Sequence, residues 1–200
     1  MDLVVLLYDE FETLDAFGPV EILGKLEEIS KISFVSMQGG TILSSQQVPV
    51  VTQKLQDFPS EQEYILLIPG GAGTRKEIYN GEFLSEIKRL TSRARFILSV
   101  CTGSLLLAKT GLLDSKKATT NKRVYSWVTQ QALEVKWVKK ARWVKDGNIY
   151  TSSGVSAGMD MALGFIADYF GIETAENIKK GIEYIWNSDC EDDIFSELYK

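Results

Sequence analysis

The stretch FILSVCTGSLLLAK, residues 96–109, determines the fold that we predict for this chain. Phe96–Val100 is a short continuous apolar run, which is typical of a strand covered on both faces. Gly103–Lys109 has the composition of a short buried helix that ends at Gly111. Cys101 lies between the two segments, so the stretch predicts a strand-to-helix turn that carries a cysteine.

The alternation of apolar runs and helical segments continues through the first half of the chain. The further strand-like runs are Leu3–Tyr8, Ile32–Ser36 and Tyr64–Ile68, and helical spacing occurs over Val20–Ile29 and Phe83–Thr91. Strands that alternate with helices imply crossover connections and a mainly parallel sheet with helices on each face. We therefore predict a single α/β domain over residues 1–200, built as a three-layer α/β/α sandwich.

Local signals predict the remaining elements. Asp146-Gly147 is a strong hairpin signal between strand-like flanks, and residues 39–52 are interpreted as a small β excursion. The predicted helices of the second half are Tyr125–Leu133, Ser156–Phe170 with Gly171 as its stop, and an acidic tail over residues 173–199.

Composition excludes several function classes. A net charge of −5 without a basic block gives no electrostatic footprint for nucleic acid. The opening MDLVVLLYDE lacks a basic leader and is too short for a secretion signal or a membrane span. Two cysteines without a pairing pattern favour a reducing cytoplasm, and a chain without histidine is poorly supplied with metal ligands. We predict no metal site.

Two motifs resemble functional signatures that the rest of the chain does not support. GVSAG, residues 154–158, has the serine hydrolase pattern, but no histidine exists to take the serine proton. We interpret it as a turn before a helix, with Ser156 as a candidate N-cap. PGGAGTRKE, from Pro69, has Lys76 where a dinucleotide fingerprint requires its third glycine, and it lacks the P-loop ending.

Cys101 is the candidate nucleophile, although most buried free cysteines only contribute to packing. Its position at a helix start favours the thiolate and a lowered pKa. The small neighbours Ser99 and Gly103 permit the strained turn of a nucleophile elbow. Cys190 differs, because the carboxylates of NSDCEDD disfavour a thiolate, and it is interpreted as an ordinary surface or tail residue.

Backbone amides near this turn are candidates to bind a developing negative charge. The amide of Thr102 follows the cysteine directly. The amides of Gly70 and Gly71 lie at the carboxyl end of the preceding strand, at the edge where open α/β sheets bind ligands. The sequence therefore predicts an oxyanion site made by these three residues.

A thiolate needs a proton-transfer partner, and the absence of histidine leaves carboxylates. Glu12 and Asp15 follow the first predicted strand, so their loop opens at the same sheet edge. The alternative for each is a solvated loop charge or a helix cap. Gly18-Pro19 is expected to start the following helix, with proline in its first turn.

Four segments resemble the ThiJ/PfpI superfamily in the order typical of it. They are LDAFGPVEIL, IPGGAG, VCTGSLLLAKTGLLDSKKATTN and TSSGVSAGMDMALGFIADYFG. The first and third are most similar to the isonitrile hydratase branch, and they also resemble the amidotransferase-like domain of AraC-type regulators. The resemblance implies a flavodoxin-like sandwich of the glutamine amidotransferase type.

The resemblance also implies a reaction and its residues. In that branch water adds to an isonitrile, R–NC, to give an N-substituted formamide without a cofactor. The family's nucleophile falls on Cys101, its acidic partner on Asp15 with Glu12 as the other candidate, and its oxyanion amides on Gly71 and Thr102. A small-molecule substrate and a homodimer are expected.

One position departs from the family pattern. Asn121 follows the A-T-T run where the family often has histidine, which argues against glyoxalase, protease or amidotransferase activity. Two alternatives to an isonitrile hydratase stay open. One is a small-molecule or redox sensor in which Cys101 is oxidised, and the other is a general intracellular amidase or protease.

Overall fold

The computed structural model describes residues 1–58 and 63–199. The strands are β1 (Asp2–Leu6), β2 (Lys31–Ser36), β3 (Gly40–Leu43), β4 (Pro49–Lys54), β5 (Tyr64–Ile68), β6 (Phe96–Val100), β7 (Lys117–Ala118), β8 (Lys136–Trp137), β9 (Trp143–Asp146) and β10 (Ile149–Ser152). The α-helices are α1 (Thr13–Leu23), α2 (Thr74–Glu77), α3 (Gly81–Thr91), α4 (Gly103–Lys109), α5 (Tyr125–Gln131), α6 (Ala157–Phe170) and α7 (Ile172–Gly181). Short 3₁₀ turns cover Leu55–Asp57, Lys122–Val124 and Ile194–Ser196.

Eight strands form the central sheet, in the order β3-β4-β2-β1-β5-β6-β10-β9. The five pairings between β4 and β10 are parallel, whereas the outermost pairs, β3 with β4 and β9 with β10, are antiparallel. Every residue of β5 and β6 is buried, as their continuous apolar sequences predict. Helices α1, α6 and α7 pack together, and α4 packs against α2 and α3. The chain has the predicted flavodoxin-like α/β/α sandwich.

The order in which successive strands join the sheet reverses between the parallel neighbours β1 and β5, and this switch point positions the site. From β1 the chain leads through α1 to β2 on one side, whereas β5 leads through α3 to β6 on the other. The segments that follow β1, β5 and β6 therefore open at one sheet edge. They are residues 7–12, 69–73 and 101–102. Ligands of open α/β sheets bind in the crevice at such a switch point.

Helix α1 starts earlier than the sequence suggested. The prediction of a helix over Val20–Ile29 that starts at Gly18-Pro19 is wrong, because α1 begins at Thr13 and contains Pro19. The amide of Glu12 donates to the Gly70 carbonyl (2.8 Å), and this contact starts the first turn before the proline is reached. The early start places Asp15 in the first turn, against the sheet edge.

The predicted helical tail is wrong beyond residue 181. Helix α7 ends at Gly181, and the chain then runs irregularly to the short turn Ile194–Ser196. The hairpin at Asp146-Gly147 is confirmed, with Gly147 at φ +64°, and so is the β excursion, which forms β3 and β4. Among the helices of the described residues, none has the length and apolar character needed to cross a membrane.

Candidate active site at the Cys101 turn

Cys101 lies at a strained turn between β6 and α4. Its φ of +57° is in the left-handed region, which costs free energy for a residue with a side chain. The turn is held from both sides, because the Cys101 amide donates to the Ser153 carbonyl (3.0 Å) and its carbonyl accepts from the hydroxyls of Ser104 and Thr120 (both 2.9 Å). Gly103 is required here, since a Cβ would lie 2.4 Å from the Ile68 carbonyl oxygen. This is the geometry of a nucleophile elbow.

Asp15 is fully buried beside the cysteine. Its Oδ2 accepts a hydrogen bond from the Gly70 amide (2.9 Å), whereas Oδ1 has no partner of normal hydrogen-bond geometry. Burial raises the pKa of Asp15 to about 8. The Gly70 amide, the Cys101 thiol and the Val155 amide oppose that rise, so the carboxyl lies close enough to the thiol to act on it.

The Cys101 thiol differs from the sequence-based prediction. Its pKa is raised well above the ordinary value, first by burial and then by the charge of Asp15. The Asn121 side chain and the Thr102 backbone amide act in the opposite direction but do not prevail. The prediction of a thiolate with a lowered pKa is therefore wrong, because only 7% of the residue is exposed and a carboxyl lies beside it.

Asn121 holds the sulfur through a directed hydrogen bond. Its Nδ2 donates to the Cys101 Sγ (3.1 Å), while its Oδ1 accepts from the Arg123 amide (2.8 Å). The second bond fixes which end of the side-chain amide faces the sulfur. The sequence singled out Asn121 only as a departure from the family pattern. Its place, where the family often has histidine, is the feature that could have indicated the contact with Cys101.

The two glycine amides predicted for an oxyanion site have other acceptors. The Gly70 amide donates to Asp15, and the Gly71 amide donates to the Thr102 Oγ1 (3.1 Å). The Thr102 hydroxyl also contacts the Thr74 hydroxyl (2.9 Å), which contacts the Tyr8 hydroxyl (3.0 Å). In the described structure these two amides position side chains, and the Thr102 amide is the predicted donor that lies near the sulfur.

Gly70 offers a test of how tightly this arrangement is packed. A Cβ at this position would lie 2.6 Å from both the amide nitrogen and the Oγ1 of Thr102, and 3.0 Å from the Asp15 Oδ2. We expect Gly70→Ala to lower the free energy of unfolding by roughly 1–3 kcal/mol in a denaturant titration, because overpacking forces the backbone to move. Gly81→Ala is the control, since a Cβ there meets nothing within 4 Å. Equal stability of the two variants would contradict this packing.

A pocket of about 430 Å³ opens above the sulfur. Its lining includes Glu12, Gly71, Arg75, Cys101, Thr102, Asn121, Arg123 and Val155. The Glu12 Oε1 accepts a hydrogen bond from the Gln46 side chain (2.9 Å), so this carboxylate faces another partner. Of the two candidate acids, Asp15 is the one whose charge acts on the Cys101 thiol.

The other singled-out residues lie apart from this chemistry. Ser156 precedes α6, but its side chain makes no capping bond and instead accepts from Arg142 (3.3 Å). Cys190 is partly buried, and burial, followed by the nearby carboxylates, raises the pKa of its thiol. Within residues 1–58 and 63–199, no group of three or more cysteine, aspartate or glutamate side chains is arranged to hold a metal ion.

The site combines a weakly acidic thiol, a carboxyl that titrates near neutral pH, and a fixed amide donor on the sulfur. A carboxyl with a pKa of about 8 exchanges its proton readily near neutral pH, which suits general acid–base catalysis. Because Asp15 and Cys101 interact, they titrate as a pair. The arrangement can add a sulfur and a proton to one electrophilic carbon.

Comparisons with known proteins show the family and the fold of the chain. A family model described as the DJ-1/PfpI family matches residues 1–168. The isonitrile hydratase of Pseudomonas putida is 33% identical over 181 residues, covering 90% of this chain and 76% of that protein. A deglycase of Pyrococcus horikoshii is 27% identical, covering 80% of this chain and 93% of that protein. A crystal structure of a ThiJ/PfpI family protein from Pseudomonas syringae superposes with a TM-score of 0.81 at 29% identity, covering 92% and 74% of the two chains.

Proposed function

The chain belongs to the DJ-1/PfpI family, and from that premise we propose that it is a cofactor-independent hydratase that converts isonitriles into N-substituted formamides. One observation carries the proposal: a buried carboxyl with a pKa of about 8 lies beside a cysteine at a strained strand-to-helix turn. Support also comes from the similarity to the isonitrile hydratase of Pseudomonas putida. The proposed nucleophile is Cys101, and Asp15 rather than Glu12 is the proposed proton carrier.

The first step joins the sulfur to the terminal carbon of the isonitrile. Ionised Asp15 takes the Cys101 thiol proton as the sulfur attacks, and then delivers that proton to the same carbon. The product is a thioimidate, R–N=CH–S–Cys101, which contains every atom of the isonitrile and the thiol. The side-chain amide of Asn121 and the backbone amide of Thr102 stabilise negative charge on sulfur during the attack.

The second step releases the product. A water oxygen adds to the thioimidate carbon while Asp15 accepts a water proton and passes it to the substrate nitrogen. The carbon–sulfur bond then breaks, the hydroxyl proton returns to sulfur through Asp15, and R–NH–CHO leaves. One carboxyl thus acts alternately as base and acid, which replaces the function that histidine has in many cysteine enzymes.

The pKa values predict the pH dependence of this reaction. Below pH 8 Asp15 is protonated and cannot accept the thiol proton, so we expect kcat/KM for a neutral isonitrile to rise about tenfold per pH unit up to pH 8. Activity then falls in alkaline solution, when the pair loses its remaining proton. Initial rates between pH 5.5 and 10.5 measure the profile. A rate that is constant or falls between pH 6 and 8 would contradict the assignment of Asp15 as the base.

The proposal is tested by assaying formamide production from a panel of isonitriles with the wild-type protein and Cys101→Ser. Formation of N-substituted formamide by the wild type alone supports the hydratase. Ammonia release from amides, or turnover of glycated substrates without formamide production, would replace it with a hydrolase or deglycase. Rapid oxidation of Cys101 by peroxide without any turnover would favour the sensor, a role that the raised thiol pKa disfavours.

We also propose that the protein acts in the cytoplasm as a homodimer. The cysteine content supports the compartment, because two cysteines without a pairing pattern suit a reducing environment. The family resemblance supports the dimer.

A further inference from the structure

The end of the chain lies outside the residues that the family model matches, and it lines a cavity beside the candidate active site. The family model ends at residue 168, whereas the described chain continues to residue 199. After α7 this terminal segment, residues 182–199, returns to the sheet edge, where the Arg142 amide donates to the Cys190 carbonyl (2.8 Å) and the Asp193 amide donates to the Lys140 carbonyl (2.8 Å). The terminal segment is therefore held along the chain that leads into β9.

Asp193 anchors the terminal segment through buried charges. Its carboxylate is only 1% exposed and lies 3.9 Å from the Lys122 Nζ and 3.7 Å from the Arg142 Nη1. Lys122 directly follows Asn121, the residue that holds the Cys101 sulfur. The Asp193 Oδ1 also accepts from the Phe195 amide (3.1 Å) and so starts the turn Ile194–Ser196. One buried carboxylate thus fixes the position of Phe195 relative to Asn121.

Phe195 and Tyr199 line a second cavity of about 280 Å³. Asn121, Arg123 and Val155 line both this cavity and the pocket above Cys101. The two spaces therefore adjoin at these three residues, and Asn121 lies between the sulfur and the second cavity. The cavity is open to solvent, because Phe195 and Tyr199 are each 41% exposed. Its volume exceeds the roughly 150 Å³ that holds benzene in an enclosed apolar cavity, so one ring fits.

We propose that this second cavity binds the nitrogen substituent of the substrate, and that Phe195 and Tyr199 select isonitriles with an aromatic substituent over small aliphatic ones. The inference rests on the proposed hydratase function. Aromatic side chains supply large apolar contact area and favourable ring–ring geometry, which gives an aromatic substituent an advantage that a methyl group lacks. The terminal segment thus sets specificity without touching the reacting atoms.

The first test compares benzyl isonitrile with methyl isonitrile. We expect Phe195→Ala, and separately Tyr199→Ala, to lower the ratio of kcat/KM for benzyl over methyl isonitrile by about tenfold. Leu198→Ala is the matched control, because this residue is 68% exposed in the same segment and lies outside the cavity lining. An unchanged ratio in both aromatic variants, with native thermal unfolding, would overturn the proposal.

A second test does not depend on turnover. In a Cys190→Ser background, the rate of Cys101 alkylation is measured with N-benzyl iodoacetamide and with iodoacetamide. We expect faster alkylation by the benzyl reagent and loss of that preference in Phe195→Ala. Suppose that no isonitrile is hydrated, but the preference for the benzyl reagent exists in the Cys190→Ser background and is lost on adding Phe195→Ala. The hydratase assignment then fails and the cavity assignment stands. If isonitriles are hydrated and no preference exists, the cavity assignment fails alone. Phe195→Leu, which keeps an apolar side chain, controls for misfolding.

Discussion

Replacing Cys101 with serine is expected to lower the rate of isonitrile hydration by about four orders of magnitude or more. Removing the nucleophile of a covalent mechanism usually costs at least this much, and a serine hydroxyl is far less acidic than a thiol. Serine is nearly the same size, so it fits the strained turn at φ +57° and keeps the hydrogen bonds of the backbone. Formamide production measured by chromatography gives the rate.

Cys190→Ser provides the matched control for this loss. Cys190 is the other cysteine of the chain and lies among the carboxylates of the terminal segment, outside the lining of the Cys101 pocket. We expect its replacement to leave the rate within about twofold, as for a substitution away from the site. Equal rates in the wild type and in Cys101→Ser would exclude a covalent mechanism at this residue.

Replacing Asp15 with asparagine is expected to lower the rate of hydration and to remove the pH dependence of stability that Asp15 causes. The variant cannot carry a proton, so hydration should fall by about 10²–10⁴-fold, the usual contribution of general acid–base catalysis. The variant also removes a buried ionisable group. The pKa of Asp15 is about 8 in the folded protein against an ordinary value of 3.8, so the folded state binds a proton that the unfolded state has released. The wild type therefore loses stability as pH rises from about 4 to 8.

The difference in the free energy of unfolding between Asp15→Asn and the wild type measures this effect. We expect the free energy of unfolding of the variant, taken relative to that of the wild type, to be roughly 3–5 kcal/mol higher at pH 9 than at pH 4. Glu12→Gln is the control, because its carboxylate is only half-buried and its replacement should change stability by less than about 0.5 kcal/mol. A difference that does not change with pH would show that Asp15 is ionised at neutral pH in the folded protein. Asp15 would then be a structural carboxylate.

The fold was predictable because its signals are local and continuous. Phe96–Val100 and Tyr64–Ile68 are fully buried strands, as their uninterrupted apolar sequences indicated, and α4 has the predicted bounds Gly103–Lys109. The start of α1 was not predictable, because the contact of Glu12 with Gly70 joins residues far apart in the chain. A proline favours a helix start, but tertiary contacts outweighed that preference here.

The sequence predicted which candidate residues lie together at the sheet edge, but it did not predict their electrostatics. The sequence placed Cys101, Asp15 and the Gly70 loop at one edge, because each follows a strand of the parallel sheet. It did not distinguish Asp15 from Glu12, since only the packing of α1 shows which carboxyl lies beside the thiol. The prediction of a lowered pKa for the Cys101 thiol was wrong for the same reason. A helix start is visible in the sequence, whereas burial of the thiol and a neighbouring carboxyl are not.

The covalent thioimidate of Cys101 with the intact isonitrile is the intermediate on which the proposed mechanism depends. It is tested most directly by mixing the protein with a stoichiometric amount of ¹³C-labelled isonitrile, quenching within one turnover and measuring the mass of the peptide that contains Cys101. We expect that peptide to gain the full mass of the isonitrile before formamide accumulates, and to lose it as formamide forms. Formamide that accumulates at the normal rate while this peptide keeps its original mass and a free thiol would exclude a thioimidate intermediate on Cys101.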